Sequence, residues 1–575
     1  MKILGINGAF QDSAACLVVD GVPVAAAEEE RFTRVKHHKR VRPFNSYALP
    51  YHAIDYCLEA GGLRLPDLDR VAYSFDPFPS IRDNGEQSFR LPATEEESYG
   101  RPTFDAWKTV FLAGATESRR GLLEDAPWHL QARIGRVEPQ RWSFHHVPHH
   151  RAHAASCFLA SPFERAAVMT IDGSGGDVTT AYFLGEGTKL TPLGELQPPH
   201  SLGLLYELTT NYLGFLGSSD EDQVMAMAAL GRPVHADIFR QLVSVGSRGD
   251  YRIRGPLVLG LRLGPERKRG EPIEQRHCDI ACSLQTVLEE TVLEIAAWLR
   301  RETGAENLCF AGGVAQNCVL SGKLRRSGIF RDVWVSPVAG DAGTALGAAM
   351  LLESEADPSI GRRYTMEHTY LGPGFADAEI EAFLRKARLP FRRMDDIAEE
   401  VADLLVAQQV VGWFQGRMEF GPSALGARSL LASATDPRTR ERLDDIKGRE
   451  QLRPVAPAVP IEHAAEWFDL AGPSPFMTFV ERVRPERLSS CPAAAHVDGT
   501  ARLQTVRREH APPLHALLLA YGKKTGVPML INTSFNVREE PIVCTPKDAV
   551  ATFYTSSLEA LVLGPYLLRK PAAAG

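Results

Sequence analysis

Two histidines in the run HHRAHAAS are spaced so that they could bind one metal ion. His149 and His153 lie four residues apart and share one face if the segment is a helix, for which Pro148 is a favourable start. Such a pair alone more often has a capping or surface role. Asp172, at the end of an apolar strand, and Asp341, in the segment GDAGTALG, favour a metal site because they could complete a set of two imidazoles and two carboxylates. This ligand set suits a divalent ion, with iron(II) favoured and magnesium or manganese as alternatives.

A third aspartate, Asp12, lies in a polar turn between two apolar runs and is a candidate general base or phosphate-side carboxylate. The simpler interpretation is an Asx turn, in which the side chain bonds its own backbone. The stretches ILGINGAFQDSAACLVVDG and VMTIDGSGGDVTTAYFLGEG share one plan, and Asp12 and Asp172 occupy matching turns in it. The two interpretations of Asp12 are therefore left equally weighted.

A glycine-rich turn is the candidate nucleotide cradle. Gly312, Gly313 and Asn317 follow an apolar strand and precede a helix, which is how a helix N-terminus is presented to a phosphate. A lone Gly-Gly pair usually only permits a turn. The second glycine-rich segment, Gly340–Gly347, strengthens the prediction of a nucleotide site.

The C-terminal part is rich in cations that lie near glycine, proline or polar turns. Arginine forks match phosphate and carboxylate oxygens, so this cluster predicts a pocket for a nucleoside triphosphate and a second small anionic substrate. The turn Asn532-Thr533-Ser534-Phe535-Asn536 adds amide and hydroxyl donors. Any single cation here would more often be a solvated side chain. The cations of the cluster are Arg417, Arg428, Lys447, Arg449, Arg453 and Arg502.

The elements that must position these residues follow an α/β pattern. Short apolar runs joined by Gly- and Asp-containing turns predict strands, and the repeated strand–turn–strand plan predicts two related halves that face each other. Helical periodicity covers Ile280–Arg300, and a strand follows it at Leu308–Ala311. Further on, we expect helices at Ile397–Ala407, Leu443–Glu450 and Leu514–Tyr521 and strands at Val410–Phe414 and Pro528–Ile531.

Length and composition limit the class of protein. A chain of 575 residues exceeds one ordinary core, so we expect at least two domains. A composition shift at Glu353–Arg363 indicates the linker. We therefore divide the chain into a domain at 1–354, a linker at 355–369 and a domain at 370–575. No apolar run approaches the roughly 18 residues of a membrane helix, and the N-terminus lacks the features of a signal peptide.

Charge and cysteine content favour a cytoplasmic protein that acts on small molecules. The net charge of −7 argues against a protein built mainly to bind nucleic acid. We interpret the local basic runs first as solvated or anion-facing loops. The 9 cysteines are scattered without a Cys-x-x-Cys pair, which is typical of buried thiols in a reducing compartment. The oligomeric state stays open.

Ordered motifs along nearly the whole chain resemble the NodU/CmcH-type O-carbamoyltransferases, which modify antibiotics and nodulation factors. The resemblance implies a duplicated actin-like N-terminal domain and a YrdC-like α/β C-terminal domain. The motifs that carry it are AAAEEERFTRVKH, HHRAHAAS, TIDGSGG, HSLGLLYE, LCFAGGVAQNC, GDAGTALGAA, GWFQGRMEFGP, LRPVAPAV, HVDGTARLQTV and GVPMLINTSFNVREEPIVCTP.

The resemblance also implies a reaction and its substrates. The second domain would form carbamoyl adenylate from carbamoyl phosphate and ATP, and the first would transfer the carbamoyl group to a hydroxyl of a small-molecule acceptor. The metal would be held by His149, His153, Asp172 and Asp341. Carbamoyl phosphate and ATP would contact Lys447, Arg453, Arg502, Asn532 and Ser534, of which Lys447 and Arg453, with Asp12 in the first domain, would serve catalysis.

Four positions depart from the family pattern. Gln11 stands where the family commonly has a histidine beside Asp12. Ser423 and Ala427 replace an arginine and an asparagine, and Gln223 replaces a lysine. Two alternatives therefore stay open: a transferase with a nitrogen or tRNA acceptor, and a nucleotide-binding regulator whose activating site has decayed.

Overall fold

The first sheet places the Asp12 turn between its two central antiparallel strands. We describe the fold from a computed structural model, which covers residues 1–38, 49–76, 125–135, 140–254, 262–448, 456–537 and 540–570. The strand order is β3-β2-β1-β4-β5; β2 is antiparallel to β1 and β3, whereas β4 is parallel to β1 and β5. The strands are β1 (Lys2–Asn7), β2 (Ala14–Val19), β3 (Val22–Glu28), β4 (Arg70–Tyr73) and β5 (Ser143–His146).

A second sheet repeats this arrangement. Its order is β8-β7-β6-β11-β12, again with three antiparallel strands followed by two parallel ones. The predicted internal repeat and the duplicated actin-like α/β fold are therefore confirmed. The strands are β6 (Arg165–Gly175), β7 (Val178–Glu186), β8 (Lys189–Leu196), β11 (Asn307–Ala311) and β12 (Asp332–Val335), and a separate pair is formed by β9 (Val243–Val245) and β10 (Tyr251–Ile253).

Helices cover and join these two sheets. The helix over the histidine run is confirmed, with Pro148 at its N-cap. The helices are α1 (Glu30–Thr33), α2 (Tyr51–Ala60), α3 (His149–Phe158), α4 (Leu202–Tyr212), α5 (Glu221–Ala228), α6 (Ala236–Leu242), α7 (Gln275–Thr303), α8 (Cys318–Arg326) and α9 (Gly343–Ala356).

The C-terminal part is built on an eight-stranded mixed sheet, which confirms a second α/β unit. The strand order is β13-β23-β22-β14-β15-β21-β16-β20. These strands are β13 (Arg392–Arg393), β14 (Val411–Phe414), β15 (Arg428–Ser433), β16 (Ala456–Pro460), β20 (Gln504–Val506), β21 (Leu530–Ser534), β22 (Ala560–Leu563) and β23 (Tyr566–Arg569). A smaller sheet contains β17 (Phe468–Asp469), β18 (Val480–Val483) and β19 (Thr500–Arg502).

Several boundaries in this part differ from the predicted ones, and two of these differences lie at candidate site residues. The helix predicted to reach Glu450 ends at Lys447, because Gly448 takes a left-handed conformation and caps it. The predicted polar turn at Asn532–Ser534 is the end of β21. The helices are α10 (Asp377–Lys386), α11 (Ile397–Val406), α12 (Thr439–Lys447), α13 (Ile461–Trp467), α14 (Pro512–Thr525) and α15 (Pro546–Thr555). None of the helices in the described ranges has the length and apolarity that a membrane crossing requires.

The contact between α3 and α9 fixes the histidines relative to Asp341, and Gly347 permits it. A Cβ atom on Gly347 would lie 1.8 Å from the carbonyl oxygen of Ala152 and 2.6 Å from the amide nitrogen of Ser156. Both are backbone atoms, so a side chain here would force the two helices apart.

We therefore expect Gly347→Ala to lower the free energy of unfolding by about 1–3 kcal/mol, the usual range for overpacking a core. Gly194→Ala is the matched control, since its Cβ would meet only a ring carbon of Tyr182 at 3.9 Å. Urea denaturation of both variants checks this. Equal unfolding midpoints for the two would contradict the close packing of α3 on α9.

Candidate functional site

Four side chains from three elements converge between the two halves of the N-terminal part. The Nε2 atoms of His149 and His153 are 3.0 Å apart, and Asp172 Oδ2 is 3.0 Å from His153 Nε2 and 3.6 Å from His149 Nε2. Asp341 Oδ1 is 3.4 Å from both imidazole nitrogens. Both histidines are buried and both carboxylates half-buried. The structure therefore brings together all four predicted metal ligands.

The elements that carry these residues hold them from different directions. His149 and His153 face inward from α3, Asp172 lies on β6, and Asp341 precedes α9. The free carboxylate oxygens are bound by backbone amides: Gly173 donates to Asp172 Oδ1 at 2.7 Å, and Gln11 donates to Asp341 Oδ2 at 3.1 Å. Each carboxylate thus keeps its other oxygen toward the imidazoles.

Contacts behind His149 set which of its nitrogens faces the cluster. His149 Nδ1 lies 3.3 Å from the carbonyl oxygen of Ser74, which accepts its proton, so Nε2 is the nitrogen that faces the carboxylates and would bind a metal ion. The Ser74 hydroxyl donates to Asn7 and accepts from Thr344. This small buried network joins the first sheet to α9 directly behind the cluster.

The electrostatics of the cluster favour a positive charge among the four side chains. Burial lowers the pKa of His149, but its hydrogen bonds to Asp172 and Asp341 outweigh this effect and raise the pKa to about 9. Burial raises the pKa of Asp172, but the two histidines hold it well below its ordinary value. Two carboxylates near buried imidazoles therefore stabilise a cation between them.

His150 belongs to the same motif but does not belong to the cluster. Its Nδ1 lies 2.8 Å from the Thr170 hydroxyl and its Nε2 lies 3.0 Å from the Val178 carbonyl oxygen. Burial, together with its two histidine neighbours, lowers the pKa of His150 to about 3. His150 is a neutral structural residue that ties α3 to β6 and β7.

The four residues fit a divalent ion. Ligand atoms that lie about 2.1 Å from one ion in tetrahedral or octahedral geometry are roughly 3.0–3.5 Å from each other. The donor atoms of this cluster are 3.0–3.6 Å apart in the pairs given above. A mixed set of imidazole and carboxylate ligands accepts iron(II), manganese or magnesium.

We expect the protein to bind one Mn²⁺ per chain at this cluster, and Asp341→Asn to weaken that binding by at least about 10–100-fold, the loss that follows when a residue supporting a metal ligand is removed. The amide removes the negative charge but keeps the shape of the side chain. Titration calorimetry with the chelator-treated protein measures the affinity. The control is Asp177→Asn, which removes a carboxylate outside the cluster. Equal Mn²⁺ affinity of the Asp341→Asn variant and the wild type would contradict the assignment.

The Asp12 turn lies beside this cluster, and it has a partner that the sequence analysis did not identify. Asp12 Oδ1 is 2.8 Å from His37 Nδ1, and the preceding amide, that of Gln11, contacts Asp341. Asp12, Glu30 and His37 form a second group whose ligand atoms lie within 4.8 Å of one another. The Glu30 carboxylate accepts from the His37 amide and pairs with Arg31, so it is already engaged. The only sequence signal for His37 was its place in the motif ERFTRVKH.

The glycine-rich turn packs against the strand that carries Asp172. Gly312 has a φ of 91°, and a Cβ there would lie 2.3 Å from the Ile171 carbonyl oxygen. A Cβ on Gly313 would meet Asp172 Oδ1 at 2.8 Å. Asn317 caps α8 through the Leu320 amide and bonds Gln285. The predicted nucleotide contacts of these three residues stay a prediction, and the turn itself adjoins the cluster.

A second polar patch forms in the C-terminal unit where α12 meets β21. The Lys447 ammonium, at the end of α12, donates to the carbonyl and hydroxyl oxygens of Ser534, each at 2.8 Å. Asn532 lies two residues earlier on the same face of β21 and donates to the Ala424 carbonyl. Arg502 donates to the Ser423 hydroxyl at 2.9 Å, in the same turn as Ala424. We call Lys447, Asn532, Ser534 and Arg502 the lysine patch.

Two predicted arginines are engaged by the protein itself. Arg428 is fully buried and donates to main-chain carbonyls, including those of Gln415 and Pro373, with its guanidinium 3.5 Å above the Phe414 ring. Burial lowers the pKa of Arg428 to about 10. Arg417 donates to the Leu371 and Gly372 carbonyls. Their assignment to the anion pocket stays a prediction, and their contacts favour a structural role. Arg449 and Arg453 lie outside the described residues.

A buried glutamate organises the turn above the lysine patch. Glu419 Oε1 accepts from the amides of Leu425 and Ala427, each at 2.7 Å. These bonds hold the segment that contains Ser423 and Ala427, which are two of the four positions that depart from the family pattern. Glu419 lies in the motif GWFQGRMEFGP, but a single glutamate near a glycine turn has no spacing that predicts this role.

The two units contact each other through α1. Arg31 is buried, binds Glu28 and Glu30, and donates to the Gly421 carbonyl of the C-terminal unit at 2.9 Å. Glu28 accepts from the Gly421 amide at 2.8 Å. Burial lowers the pKa of Arg31, but its two carboxylate partners reverse the effect and raise it. The segment that carries His37 is thereby fixed to the turn that contains Ser423.

Comparison with family models accounts for most of the chain. A model described as carbamoyltransferase N-terminus matches residues 2–350, and one described as carbamoyltransferase C-terminus matches residues 402–570. The first matched region contains His149, His153, Asp172 and Asp341, which we call the metal-type cluster. The second contains the lysine patch.

Curated relatives are similar over most of their length. Nodulation protein NolNO of Sinorhizobium fredii (strain NBRC 101917 / NGR234) is 40% identical over 99% of this chain and 80% of that protein. Nodulation protein NolO of Bradyrhizobium diazoefficiens is 43% identical over 74% of this chain and 79% of that protein. An uncharacterized protein of Synechocystis is 38% identical, covering 99% and 97%. Among solved structures, HypF of T. kodakarensis matches weakly, with a TM-score of 0.32 and 14% identity over 62% of this chain and 48% of that chain.

Proposed function

We propose, from the premise that this chain belongs to the carbamoyltransferase family and is a carbamoyltransferase, that it is an ATP-dependent O-carbamoyltransferase with two sites. The lysine patch forms carbamoyl adenylate from carbamoyl phosphate and ATP. The cluster of His149, His153, Asp172 and Asp341 then supports transfer of the carbamoyl group to a hydroxyl of a small molecule.

The observation that carries the proposal is the convergence of two imidazoles and two carboxylates between the repeated halves. A divalent ion held there would supply Lewis-acid stabilisation of the phosphate leaving group. The chain's own residues do the rest: α3 and β6 hold the ligands, and the Gly173 and Gln11 amides orient the carboxylates.

The lysine patch suits the activating half of the reaction. Lys447 supplies a buried positive charge, and the Ser534 hydroxyl and Asn532 amide lie on the same face of β21. Asn532 Oδ1 is buried without a hydrogen-bond partner among the described residues, so it can accept a donor from a bound substrate. We place the boundary between the two activities at residues 355–369. The transfer domain precedes this linker, and the activating domain follows it.

An adenylate makes chemical sense for this transfer. Hydrolysis of carbamoyl phosphate releases inorganic phosphate and leaves carbamate, which is a poor electrophile. Attack of a carbamate oxygen on the α-phosphorus of ATP expels pyrophosphate and makes that oxygen part of an AMP leaving group. A labile mixed anhydride is better kept within one protein than released to water. The nodulation proteins among the relatives fit a specialised small-molecule acceptor.

Incubation with ATP, carbamoyl phosphate and a panel of hydroxylated metabolites tests the proposal. We expect AMP, pyrophosphate and one acceptor whose mass rises by one carbamoyl group. Omission of carbamoyl phosphate is the control and should stop pyrophosphate release. ATP turnover that ignores carbamoyl phosphate, or a carbamoyl group found only on tRNA, would overturn it.

A further inference from the structure

His37 stands in a hydrogen-bonded array with Asp12 and Ser219. His37 Nδ1 is 2.8 Å from Asp12 Oδ1, and His37 Nε2 is 3.2 Å from the Ser219 hydroxyl. When Nδ1 donates to the carboxylate, Nε2 carries a lone pair and accepts a proton from a hydroxyl. This arrangement of carboxylate, imidazole and hydroxyl is the one that activates an alcohol in acyl-transfer enzymes.

The backbone is held in unusual conformations at both members of the pair. Asp12 has a φ of 49° and His37 a φ of 60°, which is the left-handed region that non-glycine residues rarely adopt. Asn7 fixes the Asp12 turn by donating to the carbonyls of Gln11 and Asp12, and Glu30 accepts from the His37 amide. Residues that several hydrogen bonds hold in a rare backbone conformation are typical of functional sites.

The pair lies next to the metal-type cluster and is accessible. The Gln11 amide bonds Asp341, and one peptide link separates Gln11 from Asp12. The Phe10 ring lies 4.5 Å from the His149 ring in the same turn. The His37 and Asp12 side chains are 21% and 28% exposed, and a substrate hydroxyl would take the place of the Ser219 hydroxyl at Nε2.

The charged groups around His37 are mostly acidic. Asp12 faces it from the first turn and Glu30 from α1, while Lys36 is its neighbour in the chain. On the side of Ser219, the adjacent Ser218 is bound by Glu207 and Glu221. The charge around the ring that would take up the proton is therefore mainly negative.

We propose that His37 accepts the proton of the acceptor hydroxyl and that Asp12 orients and stabilises it. The inference rests on the proposed function and names the base for its transfer step. The hydroxyl proton moves to His37 Nε2 as the oxygen forms a bond to the carbamoyl carbon. The bond from that carbon to the AMP phosphate oxygen breaks, and AMP leaves with the bonding electron pair. The Ser219 hydroxyl marks the position that the acceptor hydroxyl takes.

The test compares nucleophiles that differ in their need for a base. The enzyme is supplied with carbamoyl adenylate, and AMP release is measured with glycerol as the alcohol or with hydroxylamine, which attacks through a neutral nitrogen and loses its proton afterwards. The variants are His37→Gln, His37→Ala and Asp12→Asn. His463→Ala is the control, because His463 also pairs with a carboxylate but lies at the surface of α13.

We expect His37→Gln to slow the glycerol reaction by about a hundredfold, which is the scale of general-base catalysis, and the hydroxylamine reaction by less than about threefold. Asp12→Asn should show a smaller loss of the same kind. The wild-type glycerol rate should fall toward acidic pH, and this dependence should disappear in His37→Gln, while added imidazole should partly restore His37→Ala.

Equal loss of both reactions in His37→Gln, or an unchanged pH profile, would overturn the role of His37. A wild-type enzyme that releases AMP with neither nucleophile would instead refute the proposed function itself. The two failures are therefore distinguishable.

Discussion

His149→Ala should lower the rate of carbamoyl transfer by at least about a hundredfold while pyrophosphate release from ATP and carbamoyl phosphate continues. The substitution removes one of two imidazoles 3.0 Å apart and leaves His153 as the one imidazole of the cluster beside both carboxylates. The lysine patch lies in the other unit and keeps its own contacts. Carbamoyl adenylate should therefore form and escape to water.

Mass spectrometry of the quenched reaction separates the two half-reactions, because it detects carbamoyl adenylate, AMP and the carbamoylated acceptor together. Arg151→Ala is the control on the same helix, since Arg151 forms a surface ion pair with Glu355. A His149→Ala variant that transfers at the wild-type rate would remove the cluster from the reaction.

Lys447→Ala should show the opposite pattern, with adenylate formation reduced by about 10²–10³-fold and transfer from supplied carbamoyl adenylate retained. Lys447 is buried, and its ammonium group donates to the hydroxyl oxygens of Ser534 and Thr533 at the end of β21. Removing it takes away the positive charge that the phosphates of both substrates would meet.

The rescue by supplied carbamoyl adenylate is the decisive part of this prediction. Lys524→Ala is the matched control, because Lys524 pairs with Glu399 and Asp403 at the surface. If Lys447→Ala and His149→Ala lost the same half-reaction, the assignment of one half to each unit would be wrong.

The features that could be predicted from sequence are those set by local spacing. The four-residue interval between His149 and His153 fixes their common face on α3, and the apolar run before Asp172 places that carboxylate at the exposed end of a buried strand. The repeated strand–turn–strand plan predicted two related halves, and each five-stranded sheet contains one copy of it. In each case the periodicity of one short segment carries the information.

The features that could not be predicted depend on contacts between distant segments. His37 meets Asp12 across 25 positions and Ser219 across 182, and no local pattern encodes either contact. Arg428 resembles an anion-binding arginine in sequence, but the burial of its strand directs the guanidinium to main-chain carbonyls. The end of α12 at Lys447 depends on Gly448, whose left-handed conformation stops the helix earlier than the periodicity suggests.

One short segment contributes several of the contacts between the two units. Arg31 and Glu28 hold the Gly421 turn, and Arg34 donates to the carbonyls of Pro541 and Ile542. His37 lies three residues beyond Arg34. The proposed proton acceptor of the first site is thus carried by the segment that binds the second unit.

An oxygen-18 experiment tests most directly whether the two sites exchange an adenylate. The enzyme is incubated with ATP, an acceptor and carbamoyl phosphate that carries oxygen-18 at both oxygens of its carbamoyl carbon. The mass of the AMP formed is then measured by mass spectrometry. We predict AMP with one heavy oxygen in its phosphate, since carbamate attacks the α-phosphorus and the later transfer breaks the carbon–oxygen bond. AMP without the label, formed alongside carbamoylated acceptor, would contradict the account.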